Sequence, residues 1–311
     1  MNQNEILEIV YQKLELKGYK ARIVSADHIN DLRNDIQKLH EQNLLDLDFY
    51  EEYKSYFEFV PDVNLSNLES IIVIAIPQPS YEAVFQLKNR ILSLQIPPTY
   101  LHVREVIKNT KVLLNDILNP FDYRVEYAVL PVKTLAVRSG LAEYGKNNIT
   151  YVEGMGSFHR LCAFYSDFRV DLEHDNWNEL KAMEMCEKCD ACRHACPTGA
   201  IASDRFLLHV ERCLTFHNEH PNDVVFPEWI DPSWHNCLVG CLHCQRACPA
   251  DKKVIGWTER GPEFTEKETQ MILERYEFEK LPEETQQKVM QYEFVHYYNV
   301  FSRNLSVFLK S

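Results

Sequence analysis

Apolar residues in the first half of the chain recur with two periods, and the periods alternate. Between residues 5 and 17, Ile6, Ile9, Val10 and Leu14 mark one helical face, and Gly18 stands where such a helix would stop. Ala21-Arg22-Ile23-Val24-Ser25 reads as a strand, after which Ile29, Leu32, Ile36 and Leu39 restore the helical period from near Asp27. Ile71-Ile72-Val73-Ile74-Ala75-Ile76 is an unbroken apolar run rich in β-branching and stopped by Pro77, the pattern of a central strand buried on both faces. Val103 to Leu118 is helical by period, whereas Tyr123 to Leu130 and Leu161 to Tyr165 are extended. The alternation predicts an α/β sandwich. No Gly-x-Gly-x-x-Gly and no phosphate loop interrupts it, so a Rossmann or nucleoside-triphosphate site has nothing to rest on.

The second half is dominated by cysteines. Cys186, Cys189, Cys192 and Cys196-Pro197 follow the bacterial ferredoxin spacing, and Cys241, Cys244 and Cys248-Pro249 repeat its end. Two-residue spacers let three thiolates grip one face of a 4Fe-4S cluster, and the longer spacer with its proline sends the next cysteine to a neighbouring cluster. Crossed ligation then gives one cluster Cys186, Cys189, Cys192 and Cys248, and the other Cys196, Cys241 and Cys244. The second set is one ligand short, because Leu238 stands where an ordinary ferredoxin has a cysteine. Cys213 and Cys237 are the candidates, Cys213 being favoured. Zinc also takes Cys-x2-Cys pairs but has no use for the third cysteine or the repeated Cys-Pro. A disulfide framework belongs to small secreted chains, and Met1-Asn2-Gln3-Asn4-Glu5 opens no leader pattern, so a reducing cytoplasm is expected.

Length and charge narrow the function. The chain has 311 residues, room for about two domains, so a large part precedes the cluster region and should hold substrate or a further cofactor. No apolar run approaches the ~20 residues that span a bilayer. The net charge is −13, from 33 basic and 46 acidic residues, with no dense basic stripe to grip phosphates.

Here the sequence resembles the epoxyqueuosine reductases. The resemblance rests on Ala136-Val137-Arg138-Ser139-Gly140-Leu141, Gly145-Lys146-Asn147, Gly156-Ser157, Cys196-Pro197-Thr198-Gly199-Ala200, Arg212-Cys213-Leu214 and Gly240-Cys241, all in the family order over roughly residues 55 to 250. It implies an α+β protein: a cobalamin-binding-type α/β sandwich over 1–178, a bacterial-ferredoxin-like double-cluster domain over 179–256 and a short helical tail over 257–311. It also implies Cys213 as the missing ligand and two 4Fe-4S clusters fed by an external donor such as a ferredoxin or flavodoxin. A base-off cobalamin, as in the related reductive dehalogenases, would reduce the substrate while a carboxylic acid donates a proton.

Ungapped alignment back from Gly140 places Glu126 where the family has an aspartate. Its extra methylene would shift a proton donor by about 1 Å, enough to cost about 100-fold in rate. Neighbouring Tyr127 is the other candidate donor, in the manner of the dehalogenases. Lys146, Asn147, Asn148, Gly156 and Ser157 are the candidate corrinoid-pocket residues; the two asparagines and the lysine equally suit a polar turn. Ala142 replaces a family glycine, and Glu143-Tyr144 replaces a tryptophan and its neighbour. Only about sixty residues follow Pro249, leaving no space for the family's tRNA-binding helical repeats. With the acidic balance this disfavours tRNA and leaves a small-molecule or modified-nucleoside substrate. His194 and His243 sit within the cysteine loops as solvent-facing spacers or potential-tuning donors. Cys162 reads as a core residue, Cys237 as a free thiol near the second cluster. In the tail, Thr265-Glu266-Lys267-Glu268 opens one helix, and Arg303-Asn304-Leu305 lies near the end of another.

Overall fold

The computed structural model describes residues 2–60, 64–88, 90–171 and 173–309. The chain forms two compact units, each gathered from separate segments. The first comprises Met1–Pro77, Glu105–Cys189 and Asp204–Leu207, and the second Gln78–Arg104, Asp190–Ser203 and Leu208–Ser311.

In the first unit, helices α1 (Gln3–Glu15), α2 (Ile29–Glu41) and α3 (Leu47–Tyr53) accompany strands β1 (Lys20–Ser25) and β2 (Ser70–Pro77). Asn2 and Glu5 form a capping box at the start of α1, and Gly18, in the left-handed region, lets Tyr19 N–H turn back onto Leu14 O at its end. The chain then leaves this unit for the hairpin β3 (Ser80–Leu87) and β4 (Arg90–Ile96) of the second. It returns through α4 (Val103–Leu118) to β5 (Val125–Ala128), α5 (Val132–Arg138), the short hairpin β6 (Glu143–Tyr144) and β7 (Thr150–Tyr151), and β8 (His159–Ser166). The sheet order is β1-β2-β8-β5, antiparallel throughout.

Strand β2 explains why its sequence carries no alternation. Ile71, Val73 and Ala75 face a core shared with Leu32 of α2 and Leu135 of α5, while Ile72, Ile74 and Ile76 face another shared with Val10 of α1 and Leu114 of α4. Helices cover both faces, and each buried isoleucine contributes about 1.5–3 kcal/mol. The expected strand at 71–76 and the helix at 103–118 are both present.

The second unit has a three-stranded sheet in the order β4-β3-β9, where β9 (Thr258–Phe264) runs parallel to β3. The alternation in β3 is weak, and sequence reading left it, β4 and β9 unassigned. Gly261 is required where β9 slips register against β3, because a Cβ there would meet Glu82 O at 2.9 Å. Phe85 and Phe264 stack between paired strands, and α9 (Glu266–Leu273), α10 (Glu283–Gln291) and α11 (Tyr298–Val307) close over them around Phe294 and Phe301. The Thr265/Glu268 capping box opens α9 as expected. Three short helices, α6 (Ala191–Ala195), α7 (Leu214–Glu219) and α8 (His243–Ala247), carry the cysteine segments. Among the described residues no helix is long and apolar enough to cross a membrane.

Candidate functional site

One local design occurs twice in the second unit. Helix α6 places Cys192 at its second position and ends at Cys196, while α8 places Cys244 at its second position and ends at Cys248. The prolines at 197 and 249 disfavour helical backbone in the residue before them. Cys196 (φ −76°, ψ 108°) and Cys248 (φ −74°, ψ 123°) are accordingly extended, each ending its helix. The two short helices pack on one another.

Cys196, Cys213, Cys241 and Cys244 lie close enough to act on each other electrostatically. Burial pushes the Cys241 thiol up to about 12, and Cys213 and Cys196 add to the rise. Cys244 is raised in the same direction, first by burial and then by Cys241, Cys213, Cys192 and Cys196. Burial also raises Cys213, opposed by hydrogen bonds from Thr215 and Phe216 at the start of α7. Thiols so crowded resist ionisation until a cation joins them, which is the donor chemistry of a soft metal or iron–sulfur site. Cys186 ends a 3-10 turn in the first unit and Cys189 follows it there, with Cys189 N–H donating to Cys186 O at 3.3 Å.

The competing thiol, Cys237, is fully buried, and its backbone bridges to Gln95 of β4. Leu238, standing where a ferredoxin cysteine is usual, is also fully buried and belongs to the aromatic core of the unit. That core has taken over the position. Gly240 is held at φ 68°, and a Cβ there would meet the Tyr100 hydroxyl at 2.6 Å, so the residue before Cys241 has to be glycine. His243 Nε2 lies 2.8 Å from Trp234 O, which binds it to the fold.

In the first unit, Gly145-Lys146-Asn147-Asn148 forms the turn between β6 and β7. Asn147 is buried, its Nδ2 donating to the Tyr151 hydroxyl at 2.9 Å and its Oδ1 accepting from Ile149 N–H at 3.3 Å. Asn148 takes the left-handed conformation (φ 62°), and its carbonyl accepts from Lys133. Lys146 Nζ donates to Cys189 O at 2.9 Å, tying the turn to the first cysteine run. Gly156 is at φ 56°, and its carbonyl accepts from Val152 N–H; Ser157 beside it is buried.

Glu126 and Tyr127 are neighbours on β5 with different surroundings. Glu126 is engaged by Lys111 of α4 at 2.6 Å, whereas Tyr127 sets its ring edge-on to Phe164 and is 40% exposed. Burial of the phenol, followed by Cys162 and Tyr56, pushes Tyr127 up to about 12, so it keeps its proton at neutral pH. Cys162 is itself pushed up to about 12 by burial, consistent with a core thiol.

Sequence reasoning missed His159, and it placed Arg303-Asn304 only by position in the tail. His159 Nδ1 lies 3.0 Å from Gly156 O and its Nε2 3.1 Å from the Thr150 hydroxyl, so a neutral ring donates through Nδ1 and accepts at Nε2. Burial lowers it to about 4. Arg303 and Asn304 are polar side chains within the apolar stripe of Val300, Phe301 and Leu305, and that interruption was the available signal.

Cys196, Cys213, Cys241 and Cys244 act on one another electrostatically, while among the described residues no three His, Cys, Asp or Glu side chains are gathered closely enough to hold a single metal ion. Of the residues expected to line a corrinoid pocket, Asn147 bonds Tyr151 and Ile149 and Asn148 serves the turn through its backbone; Glu126, the expected proton donor, is ion-paired.

Residues 185–251 match the 4Fe-4S double cluster binding domain family. Epoxyqueuosine reductase of Escherichia coli (strain K12) is 30% identical over 145 residues, 47% of this chain and 35% of that protein. Tetrachloroethene reductive dehalogenase of Desulfitobacterium hafniense is 25% identical over 66% of this chain and 36% of its own. The chain thus aligns with only about a third of the length of these relatives. A solved epoxyqueuosine reductase carrying a tRNA-Tyr stem loop with the epoxyqueuosine modification shares the fold, with TM-score 0.65 at 19% identity, covering 99% of this chain and 82% of that one. The three comparisons agree: the chain carries a 4Fe-4S double cluster binding domain and is similar in sequence to epoxyqueuosine reductases, whose fold it shares.

Proposed function

We propose that this chain is an iron–sulfur reductase of the epoxyqueuosine type, passing electrons through two clusters to a bound cobalamin. The carrying observation is the double-cluster domain match over residues 185–251. The electrostatic neighbourhood of Cys196, Cys213, Cys241 and Cys244, which Cys192 and Cys237 also join, supports a fourth thiol from outside the two regular runs. Cys196, Cys213, Cys241 and Cys244 hold one 4Fe-4S cluster, and Cys186, Cys189, Cys192 and Cys248 the other. The chemistry that a bound cobalamin supplies is reduction of the substrate at low-valent cobalt. The chain's own part is to deliver electrons, exclude water and present a proton. Tyr127 carries a proton at neutral pH and is the candidate donor, although burial, by raising it to about 12, makes it a weak acid. Glu126 can serve only after parting from Lys111.

The substrate is an epoxyqueuosine-type modified nucleoside in tRNA, by analogy with the relative that carries such a stem loop. The acidic balance of the chain favours a second reading, a smaller substrate. A third, a double-cluster electron carrier without corrinoid, is favoured by the inward-facing Asn147 amide. The expected compartment is the cytoplasm, with a ferredoxin or flavodoxin as donor.

Electron paramagnetic resonance on anaerobic, iron-quantified protein titrated with cobalamin separates these readings. A base-off cobalt(II) signal with about eight irons per chain supports the reductase. Two clusters with cobalamin unchanged from its free form leave an electron carrier. Turnover of epoxyqueuosine-containing tRNA, or its absence while smaller nucleosides react, decides the substrate.

A further inference from the structure

The β6–β7 hairpin is joined to the start of the first cysteine run at three points, all of them within the first unit. Tyr144 pairs with Ala182 in a parallel bridge, and its carbonyl accepts from Met183 N–H at 2.7 Å. Lys146 makes the third point, its Nζ donating to Cys189 O at 2.9 Å. Tyr144 is buried and sets its ring edge-on to Phe206, so the first two points rest on a packed base.

The run is tightly wound where it meets the hairpin. Cys186 N–H donates to Met183 O at 2.9 Å, and Cys189 N–H donates to Cys186 O at 3.3 Å. These are the first two cysteines of the ferredoxin spacing, and the matched double-cluster domain begins at residue 185. The hairpin turn is closed by Gly145 N–H to Ile149 O (2.7 Å), Asn148 N–H to Gly145 O (2.9 Å) and the Asn147 amide. None of these bonds uses the lysine side chain. Hydrogen bonds from a cation are roughly twice as strong as neutral ones, and this one falls on the backbone of a cysteine. A planar peptide moves as one piece, so holding Cys189 O toward Lys146 fixes the peptide between Cys189 and Asp190 beside the thiol. The ammonium also places positive charge within one residue of that thiol. A 4Fe-4S cluster becomes more negative by one unit when it accepts an electron, and nearby charge and hydrogen bonds set how readily it does so.

Resting on the reading that Cys186, Cys189 and Cys192 hold one 4Fe-4S cluster, we infer that Lys146 is a positioning residue for that cluster rather than a corrinoid ligand. Its hydrogen bond orients the Cys189 peptide, and its charge holds the reduction potential of that cluster up.

The test makes two measurements on the full chain. One is a redox titration by electron paramagnetic resonance, with dithionite as the one-electron source and iron counted in each sample; the other is cobalamin affinity by calorimetry. Lys146→Met should move one midpoint downward, leave the other in place and leave cobalamin affinity unchanged. Lys146→Arg, which keeps the charge and the donors, should bring the moved midpoint back toward that of the unsubstituted chain. Full iron with both midpoints unmoved in Lys146→Met overturns the inference, as does a midpoint that stays lowered in Lys146→Arg. A fall in cobalamin affinity returns Lys146 to the corrinoid pocket and overturns it as well. Should Lys146→Met shed a cluster, Lys146→Arg decides: retained iron and midpoints support the inference, and an equal loss overturns it. Iron short of two clusters in the unsubstituted chain overturns the cluster reading and the inference with it.

Discussion

The cysteine segments of the second unit and the Gly145–Asn148 turn of the first were marked by the same resemblance, yet they present opposite chemistry. Burial and neighbouring thiols raise Cys213, Cys241 and Cys244, with only Arg246 pulling Cys241 the other way, so they favour a cation among them. The Asn147 amide gives one N–H to the Tyr151 hydroxyl and accepts from Ile149 N–H, neutral bonds that leave no charge to be balanced. Ligand chemistry that needs charge from outside leaves an electrostatic deficit in the protein, whereas a pocket shaped by backbone leaves none.

The strongest way to break this contrast is at Cys213. Cys213→Ala should halve the iron of reconstituted protein, from about eight to about four per chain, while Cys237→Ala leaves it whole; colorimetric iron determination reads both, and the reverse result would assign Cys237 instead. Next, Asn304→Ala strips buried carbonyls and the Arg303 guanidinium of their partners and should cost about 3 kcal/mol, seen as a lower denaturation midpoint. Acid should act through His159 and His235, both lowered to about 4 by burial from an ordinary 6.5. The unfolded chain binds these protons first, so stability is whole above pH 6.5, falls by about 1.4 kcal/mol per pH unit for each histidine on acidification, and levels off below about 4. Urea titrations at pH 7 and 5 measure it, and His159→Gln should flatten part of the slope. The smallest effect belongs to Asn147→Ala: about 1 kcal/mol of stability from its lost hydrogen bonds, with cobalamin binding unchanged in calorimetry. A binding loss at intact stability would restore Asn147 to the pocket and erase the contrast.

What could be read in advance follows from how local each signal is. The Cys-x2-Cys-x2-Cys-x3-Cys-Pro spacing is local, so the double-cluster domain over 185–251 was legible from residue order, whereas the short helices α6 and α8 were not predicted. Strand β2 was equally plain, since two covered faces leave an unbroken apolar run. The parallel pairing of β3 with β9 was not, because Ser80 meets Thr258 across a gap that no local period reports. Likewise, nothing near Glu126 announces Lys111, which arrives from a helix one element away. Arg303 was visible only as a charged residue in an apolar stripe, and its partners come from loops some eighty residues earlier.

The pairing of β3 with β9 also has a consequence in time. During synthesis the β3 and β4 hairpin emerges early but waits for residues 258–264 to complete its sheet, and Cys213 and Cys241 wait longer still, for residues 303 and 304 to fasten their loops. A growing chain therefore holds these thiols without the surroundings that order them until residues 303 and 304 have been made.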